Sequence, residues 1–330
     1  MVEHIHAIHS SGGKDLVLAA GRGHMELAEA VAAELGIELL PVSSYDFANT
    51  ETYVRFGESI RGADLFVLQS HTAPVNQWLM EQLLLLDAAK RASAKRITAV
   101  TPFLAYARQD KKSRGREPIS ARLVCDLLKT AGANRLMSVD LHTAQIQGFF
   151  DGPLDHLLAM PILVDYVKTR VDLDNVAVVS PDAGRIRVAE QWANQLGRAP
   201  LAFVHKTRDV TQPNVSHANR IVGEVAGREC VLVDDLIDTG GTIAEAVKVI
   251  LDSGAKSVIV VATHGVLSPP ATDRLSKCGA SEVVVTNTLP ISAEQKWDGL
   301  TVLNIAPLLA RAIKAIFEDG SVTSIFEGIY

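Results

Sequence analysis

The chain has 330 residues, too many for one domain of average size and enough for two ordinary ones with substantial cores. Its 32 basic residues are outnumbered by 38 acidic ones, so the net charge of -6 gives no reason to expect general nucleic-acid binding, and small anionic ligands need local basic sites. Cys125, Cys230 and Cys278 are odd in number and far apart, without paired metal-ligand spacing, which argues against a disulfide framework or a zinc site and for the cytosol.

The head, residues 1–15, carries His4, His6 and His9 among polar residues, lacks an apolar signal core and reads as a loose start. From there, short apolar runs alternate with helical patterns. Strands are expected at 16–19, 65–69, 97–100 and 136–139, then at 176–179, 201–205, 231–233 and 258–262. Helices are expected at 25–35, 77–92 and 188–196. This alternation is the pattern of parallel sheets built from βαβ units, and eight or more strands suit two sheets better than one. The longest apolar stretch, 79–89, is interrupted by Glu81, Gln82 and Asp87, which makes it an amphipathic helix and not a membrane span. Gly148 to Pro153 interrupts the pattern and marks a boundary near 152–156. The span 206–220 is long for a structureless loop and rich in Thr, Asn, Gln and charge, so it is a candidate functional flap.

The most informative segment is Cys230-Val231-Leu232-Val233-Asp234-Asp235-Leu236-Ile237-Asp238-Thr239-Gly240-Gly241-Thr242. An unbroken apolar run, as in a strand covered on both faces, stops at two carboxylates, which are therefore expected at the strand's carboxyl end, the edge where α/β sheets bind ligands. Gly240 and Gly241 allow tight backbone geometry and close approach, and Thr239 and Thr242 offer hydroxyls and a cap for a helix over 243–251. The amides of that helix start face an anion. The segment lacks the Gly-Lys-Ser/Thr ending of the triphosphate loop and the spaced glycines of the dinucleotide fingerprint. It reads as a cradle for the phosphate of a sugar, with the acids on ribose hydroxyls or in a magnesium shell.

Other motifs join the cradle: Phe47-Ala48-Asn49-Thr50-Glu51, Tyr106-Ala107-Arg108-Gln109-Asp110, Arg116-Glu117-Pro118-Ile119-Ser120, Asp140-Leu141-His142, Gln145 to Asp151, and Ser180-Pro181-Asp182-Ala183-Gly184. Together they make the chain, from about Leu16 to Phe326, resemble the ribose-phosphate pyrophosphokinase (phosphoribosyl pyrophosphate synthase) family. The resemblance implies an α/β fold of two type I phosphoribosyltransferase-like domains, each a mostly parallel sheet flanked by helices. Residues 1–152 would form the ATP side and 153–330 the ribose 5-phosphate side, the C-terminal tail packing back on the first domain. It implies transfer of the diphosphoryl group of magnesium-bound ATP to the C1 hydroxyl of ribose 5-phosphate, releasing AMP.

By the same resemblance, Asp238, Thr239, Gly240, Gly241 and Thr242 hold the 5-phosphate, and Asp234, assisted by Asp235, the ribose hydroxyls. Lys206 and Arg208 on the flap stabilise the transferring phosphates, a role that suits chemistry catalysed mainly by positioning and by cations on developing charge. His142 and Asp182 are magnesium ligands, completed by water and phosphate oxygens because that ion prefers oxygen. Arg108 and Gln109 contact ATP, while Phe47, Asn49 and Glu51 bind adenine from a neighbouring subunit of a homohexamer. The family usually has glycine at the position of Thr50, and a β-branched residue suits a positive backbone angle poorly, so the turn is expected to be reshaped. The basic run Lys111, Lys112, Arg114 and Arg116, with the tail near Ser324, corresponds to a regulatory site for phosphate and nucleoside diphosphate. Two other readings share parts of the pattern: a catalytically silent relative that regulates an active partner, and a phosphoribosyltransferase that consumes the product.

Overall fold

The computed structural model describes residues 6–9, 13–208 and 216–326, and of 206–208 and 216–219 the backbone course only. The first sheet contains β1 (Ala7–His9), β2 (Asp15–Ala20), β5 (Asp64–Leu68), β6 (Arg96–Thr101), β7 (Arg135–Val139) and β8 (Leu154–Leu157), in that spatial order. All neighbours are parallel except β1 with β2. The head is thus not wholly loose: residues 7–9 pair antiparallel with the edge of β2. Between β2 and β5 lies a separate hairpin of β3 (Val42–Asp46) and β4 (Thr52–Phe56), which the sequence pattern did not reveal.

The second sheet has the order β11 (Ser216–Val222), β10 (Leu201–Arg208), β9 (Val176–Ser180), β12 (Glu229–Ile237), β13 (Ser257–Gly265), β14 (Glu282–Thr286) and β15 (Leu300–Leu303), parallel throughout except β10 with β11. The flanks of the span expected as an irregular flap are therefore the two arms of a hairpin; residues 209–215 lie outside the described residues.

Eight helices are present among the described residues: α1 (Met25–Leu35), α2 (Val75–Arg91), α3 (Ser120–Ala131), α4 (Met160–Lys168), α5 (Ile186–Gln195), α6 (Gly241–Asp252), α7 (Ala271–Ser276) and α8 (Ala306–Phe317). None is long and apolar enough to cross a membrane.

The continuous apolar runs follow from burial on both faces. In β2, Leu16, Leu18 and Ala20 join one core while Val17 and Ala19 join another. The same split divides Val231 and Val233 from Cys230 and Leu232 in β12. The first of these cores is shared by both sheets through α1, α4, α5 and α8, and α8 packs directly on α1. The carboxyl ends of the two sheets meet at a polar seam. Ser70 donates to the Thr288 carbonyl, Thr263 Oγ1 donates to Asp140 Oδ2 at 2.6 Å, and His264 Nε2 lies 3.1 Å from the Val139 carbonyl. These buried bonds fix one strand-end edge against the other, and the cavities open there.

Candidate functional site

The acid pair lies in the carboxyl-terminal half of β12, as expected, but the strand runs on past it to Ile237 where the sequence ended it at 233. β12 loses its β9 partner after Leu232 but continues beside β13 to Ile237, so Asp234 and Asp235 occupy a strand extension paired on one side only. One edge of the extension is thereby open to a cavity of about 360 Å³ lined by Arg108, His142, Asp182, Arg185, Asp234, Asp235 and residues 236–243. A second cavity of about 450 Å³, lined in part by residues 103–109 and 138–142, shares Arg108, His142, Asp235, Leu236 and Asp238 with the first. The two are compartments of one site.

The floor of the smaller compartment is the start of α6. Its N-cap is Gly240 at φ 72°, a left-handed angle, and no side chain caps the helix. The expectation that a threonine would cap a helix beginning at 243 is corrected: the helix begins at Gly241, and its first-turn amides are left for an anion. A Cβ on Gly240 would lie 3.1 Å from Leu275 Cγ, so both angle and space demand glycine. Arg274 Nη1 donates to the Thr239 carbonyl at 3.1 Å, which fixes that end of the loop.

Charge is distributed unevenly over the acids. Burial pushes Asp235 up, but the bond with His142 and the Arg185 charge outweigh it and hold the carboxyl down at about 2. Asp234 moves well above the ordinary range, first through burial and then through the neighbouring Asp235 charge. His142 Nδ1 is 2.7 Å from Asp235 Oδ2. Arg185 Nη2 lies at the same 2.7 Å from Nδ1, so the ring is held at that nitrogen between a carboxylate that only accepts and a guanidinium that only donates, and the carboxylate orients it as it would a ligating histidine. Asp140 holds this segment from below, accepting from the Ala159 amide and from Thr263.

Asp182 caps the short turn Ala183–Arg185, its Oδ1 accepting from the Gly184 amide at 2.8 Å, which leaves the second carboxylate oxygen for other partners. Among the described residues no group of three or more His, Cys, Asp or Glu could hold a metal alone. One imidazole and one carboxylate in the same cavity fit an ion that arrives with most of its oxygen shell.

Arg108 Nη2 donates to Asp238 Oδ2 at 2.8 Å, linking the two halves across the mouth of the cradle. Gln109 lines the larger compartment, its Oε1 accepting from Ser120. Phe47, Asn49 and Glu51 line neither compartment. They lie on the turn of the β3–β4 hairpin, where Phe47 is 47% exposed and meets Tyr45 edge-on at 5.5 Å. Within one chain the structure therefore does not bring them to Arg108. The side chains of Lys206 and Arg208 lie outside the described residues, although both positions continue β10.

Thr50 adopts φ 70°, so the turn keeps the left-handed angle that glycine favours and is not reshaped by the side chain. Replacing it by glycine, T50G, is expected to raise stability by about 0.5–1 kcal/mol, the strain relieved less the added chain entropy. Urea unfolding measures this, and a lower midpoint for T50G would contradict it.

Arg185 was not legible as a site residue. It lies next to the Asp182 motif, yet its partners are distant in the chain: Asp235 Oδ1 at 2.7 Å, Asp234 Oδ1 at 3.6 Å and the His142 carbonyl at 2.9 Å.

A family model for the N-terminal domain of ribose phosphate pyrophosphokinase matches residues 16–132, and one for a phosphoribosyl synthetase-associated domain matches 201–327. The chain is 69% identical over 316 residues to the ribose-phosphate pyrophosphokinase of Bifidobacterium longum, covering 95% of this chain and 93% of that protein. It is 66% identical over 315 residues to that of Corynebacterium efficiens, covering 96% and 97%. The crystal structure of phosphoribosylpyrophosphate synthetase from Mycobacterium smegmatis matches with a TM-score of 0.88 at 62% identity, over 92% of this chain and 99% of that one.

Proposed function

Because the chain belongs to the ribose-phosphate pyrophosphokinase family, we propose that its two joined compartments are the acceptor and donor halves of one diphosphoryl-transfer site. The enzyme transfers the diphosphoryl group of ATP to the C1 hydroxyl of ribose 5-phosphate, giving 5-phosphoribosyl 1-diphosphate and AMP. The observation that carries the assignment of residues is the uncapped start of α6 facing the same cavity as the half-buried acid pair. Amides of residues 240–242, with Thr239 and Thr242, take the 5-phosphate; Asp234 and Asp235 take the ribose hydroxyls. Asp238 is kept from repelling the phosphate by its bond to Arg108.

Arg108 and Gln109 orient the ATP phosphates at the wall between compartments. His142 and Asp182 hold magnesium, which when bound neutralises charge on the group in transfer. Lys206 and Arg208 provide further positive charge on that group from the β10–β11 hairpin, and the C1 hydroxyl attacks the β-phosphorus in line, with AMP leaving opposite. The exposed Phe47, Asn49 and Glu51 serve the adenine of a neighbouring subunit, which makes the active form an oligomer, a hexamer in our reading. Phosphate and nucleoside diphosphate act through the loop of Lys111 to Arg116 and the tail near Ser324. We assign the enzyme to the cytoplasm; the division expected between residues 152 and 153 we move to the end of β8, because Leu154–Leu157 pairs with β7 in the first sheet.

The purified chain, given ATP, magnesium and ribose 5-phosphate with no nucleobase or partner protein, is expected to release AMP and 5-phosphoribosyl 1-diphosphate. Product formation only when a partner is added would instead support a regulatory relative.

A further inference from the structure

The motif Arg116 to Ser120 leads into α3, whose first residue is Ser120. A serine at a helix start ordinarily turns its hydroxyl to the free amides of that helix. Ser120 does not. The N-cap is Ile119, no side chain caps α3, and Ser120 Oγ donates instead to Gln109 Oε1 at 2.6 Å. Ser120 is 9% exposed and lines neither compartment of the site, whereas Gln109 is exposed and lines the larger one. The main chain joins the same two elements: the Gln109 carbonyl accepts from the Ala121 amide at 3.2 Å, and the Gln109 amide donates to the Tyr106 carbonyl at 2.8 Å. Gln109 is thus held by the start of α3 at both backbone and side chain. The direction of the side-chain bond decides what Gln109 offers. The hydroxyl gives its proton to the amide oxygen, so Oε1 is turned to α3 and the Nε2 hydrogens are left for the cavity. A free glutamine side chain surrenders its rotamers when a ligand binds, and one already tied surrenders fewer.

Resting on the reading of the larger compartment as the ATP half of the site, we propose that Ser120 is a positioning residue for ATP, holding the Gln109 amide with its N–H groups toward the phosphate oxygens of the nucleotide. Ser120 acts on the substrate only through Gln109. Neither residue lines the smaller compartment, so ribose 5-phosphate binding is independent of both. The competing role for the same serine is a polar link that stiffens the start of α3, which predicts lost stability with no change in nucleotide affinity.

Calorimetric titration of the full-length protein with magnesium ATP, in the absence of ribose 5-phosphate, separates the two roles when combined with steady-state release of AMP. S120A is expected to weaken ATP binding and raise the KM for ATP by about fivefold to tenfold, the loss of one preorganised hydrogen bond to a charged group. Its kcat and its KM for ribose 5-phosphate should stay within about twofold of wild type. S120T keeps the hydroxyl and should bring ATP affinity back to within about threefold. In the Q109A background S120A should add less than about twofold, since the group it positions is gone. Q109E keeps the bond to Ser120 but turns a carboxylate oxygen toward the phosphates, so it should bind ATP more weakly than Q109A. Wild-type ATP affinity in S120A would overturn the proposal and leave the ATP reading intact. So would an S120A loss that persists undiminished in Q109A, or Q109E binding as tightly as wild type. Q109A binding ATP as tightly as wild type would remove the Gln109 contact and the proposal with it, and no ATP binding by wild type would remove the reading of the compartment. If S120A fails to fold, the comparison of Q109E with Q109A still decides which way the amide faces.

Discussion

Lowering the pH from about 6.5 to about 4.5 is expected to cost the fold about 2 kcal/mol through His71 alone, with a smaller loss through His156. Burial lowers His71 to about 4, against a weaker upward pull from its bond to Gln82, and lowers His156 to about 4 as well. The cause is visible in the bonds. His71 Nδ1 accepts from the Ala105 amide while Nε2 donates to Gln82 Oε1, and His156 Nε2 accepts from the Leu141 amide. Each ring must keep one bare nitrogen, which protonation would remove.

Both folded values lie below the unfolded one near 6.5, so between about 4 and 6.5 the unfolded chain binds more protons and stability rises with pH. The contribution is whole above that window and lost as pH falls through it. His156 contributes less because it is only half-buried and solvent screens its charged form. The two released amides lie in the segments leading to Arg108 and to His142, so acid loosens both walls of the larger compartment. Denaturant unfolding at several pH values measures the slope, and H71Q should flatten it. A free energy independent of pH across this window would refute the account.

The parts of the fold legible in sequence are those whose physics is local. Strands with both faces covered print as unbroken apolar runs, and β2, β5, β6, β7, β9, β12 and β13 fall within a few residues of where the runs place them. β14 carries the same signal in Val283 to Val285. The β3–β4 hairpin does not: its strands are half-exposed and polar residues break their pattern, because the hairpin stands apart from either sheet.

The extent of β12 is misread for a related reason. An acid pair looks like a strand end when side chains are judged alone, yet the backbone ladder to β13 continues under it. For the site, the glycines and acids of the cradle are contiguous and speak for themselves. Arg185 has no such voice, since its meaning depends on Asp235 and His142, brought to it from another strand and from the other half of the chain. The same holds for Asp140, whose carboxylate faces Thr263 and Ala159 and steadies the site from behind.

Arg22→Ala is expected to destabilise the protein by about 3–5 kcal/mol, because it strands a buried carboxylate. Glu81, on α2, is 0% exposed, and the interruption that marked 79–89 as amphipathic is here a charge in the interior. It accepts from the Arg22 backbone amide at 2.5 Å and from Arg22 Nε at 2.7 Å, with Ser44 Oγ at 3.0 Å and Gln69 Nε2 at 3.4 Å as weaker donors. Removing the guanidinium leaves the negative charge with neutral partners only.

The loss should also reach the candidate adenine surface. The same guanidinium binds Asp46 at 2.7 and 3.2 Å, and Asp46 ends β3 immediately before Phe47. Gln77 and Thr52 also donate to Asp46, so the hairpin turn is held to α2 by a small network with Arg22 at its centre. Two measurements separate the contributions. E81Q in the R22A background removes the stranded charge and should recover most of the unfolding free energy, yet it cannot restore the tie to Asp46. ATP affinity should therefore remain weakened in the double variant while stability returns. Recovery of both together would show that the hairpin owes its placement to the folded core and not to Arg22, and R22A costing less than about 1 kcal/mol would show that the Glu81 charge is not held by this pair.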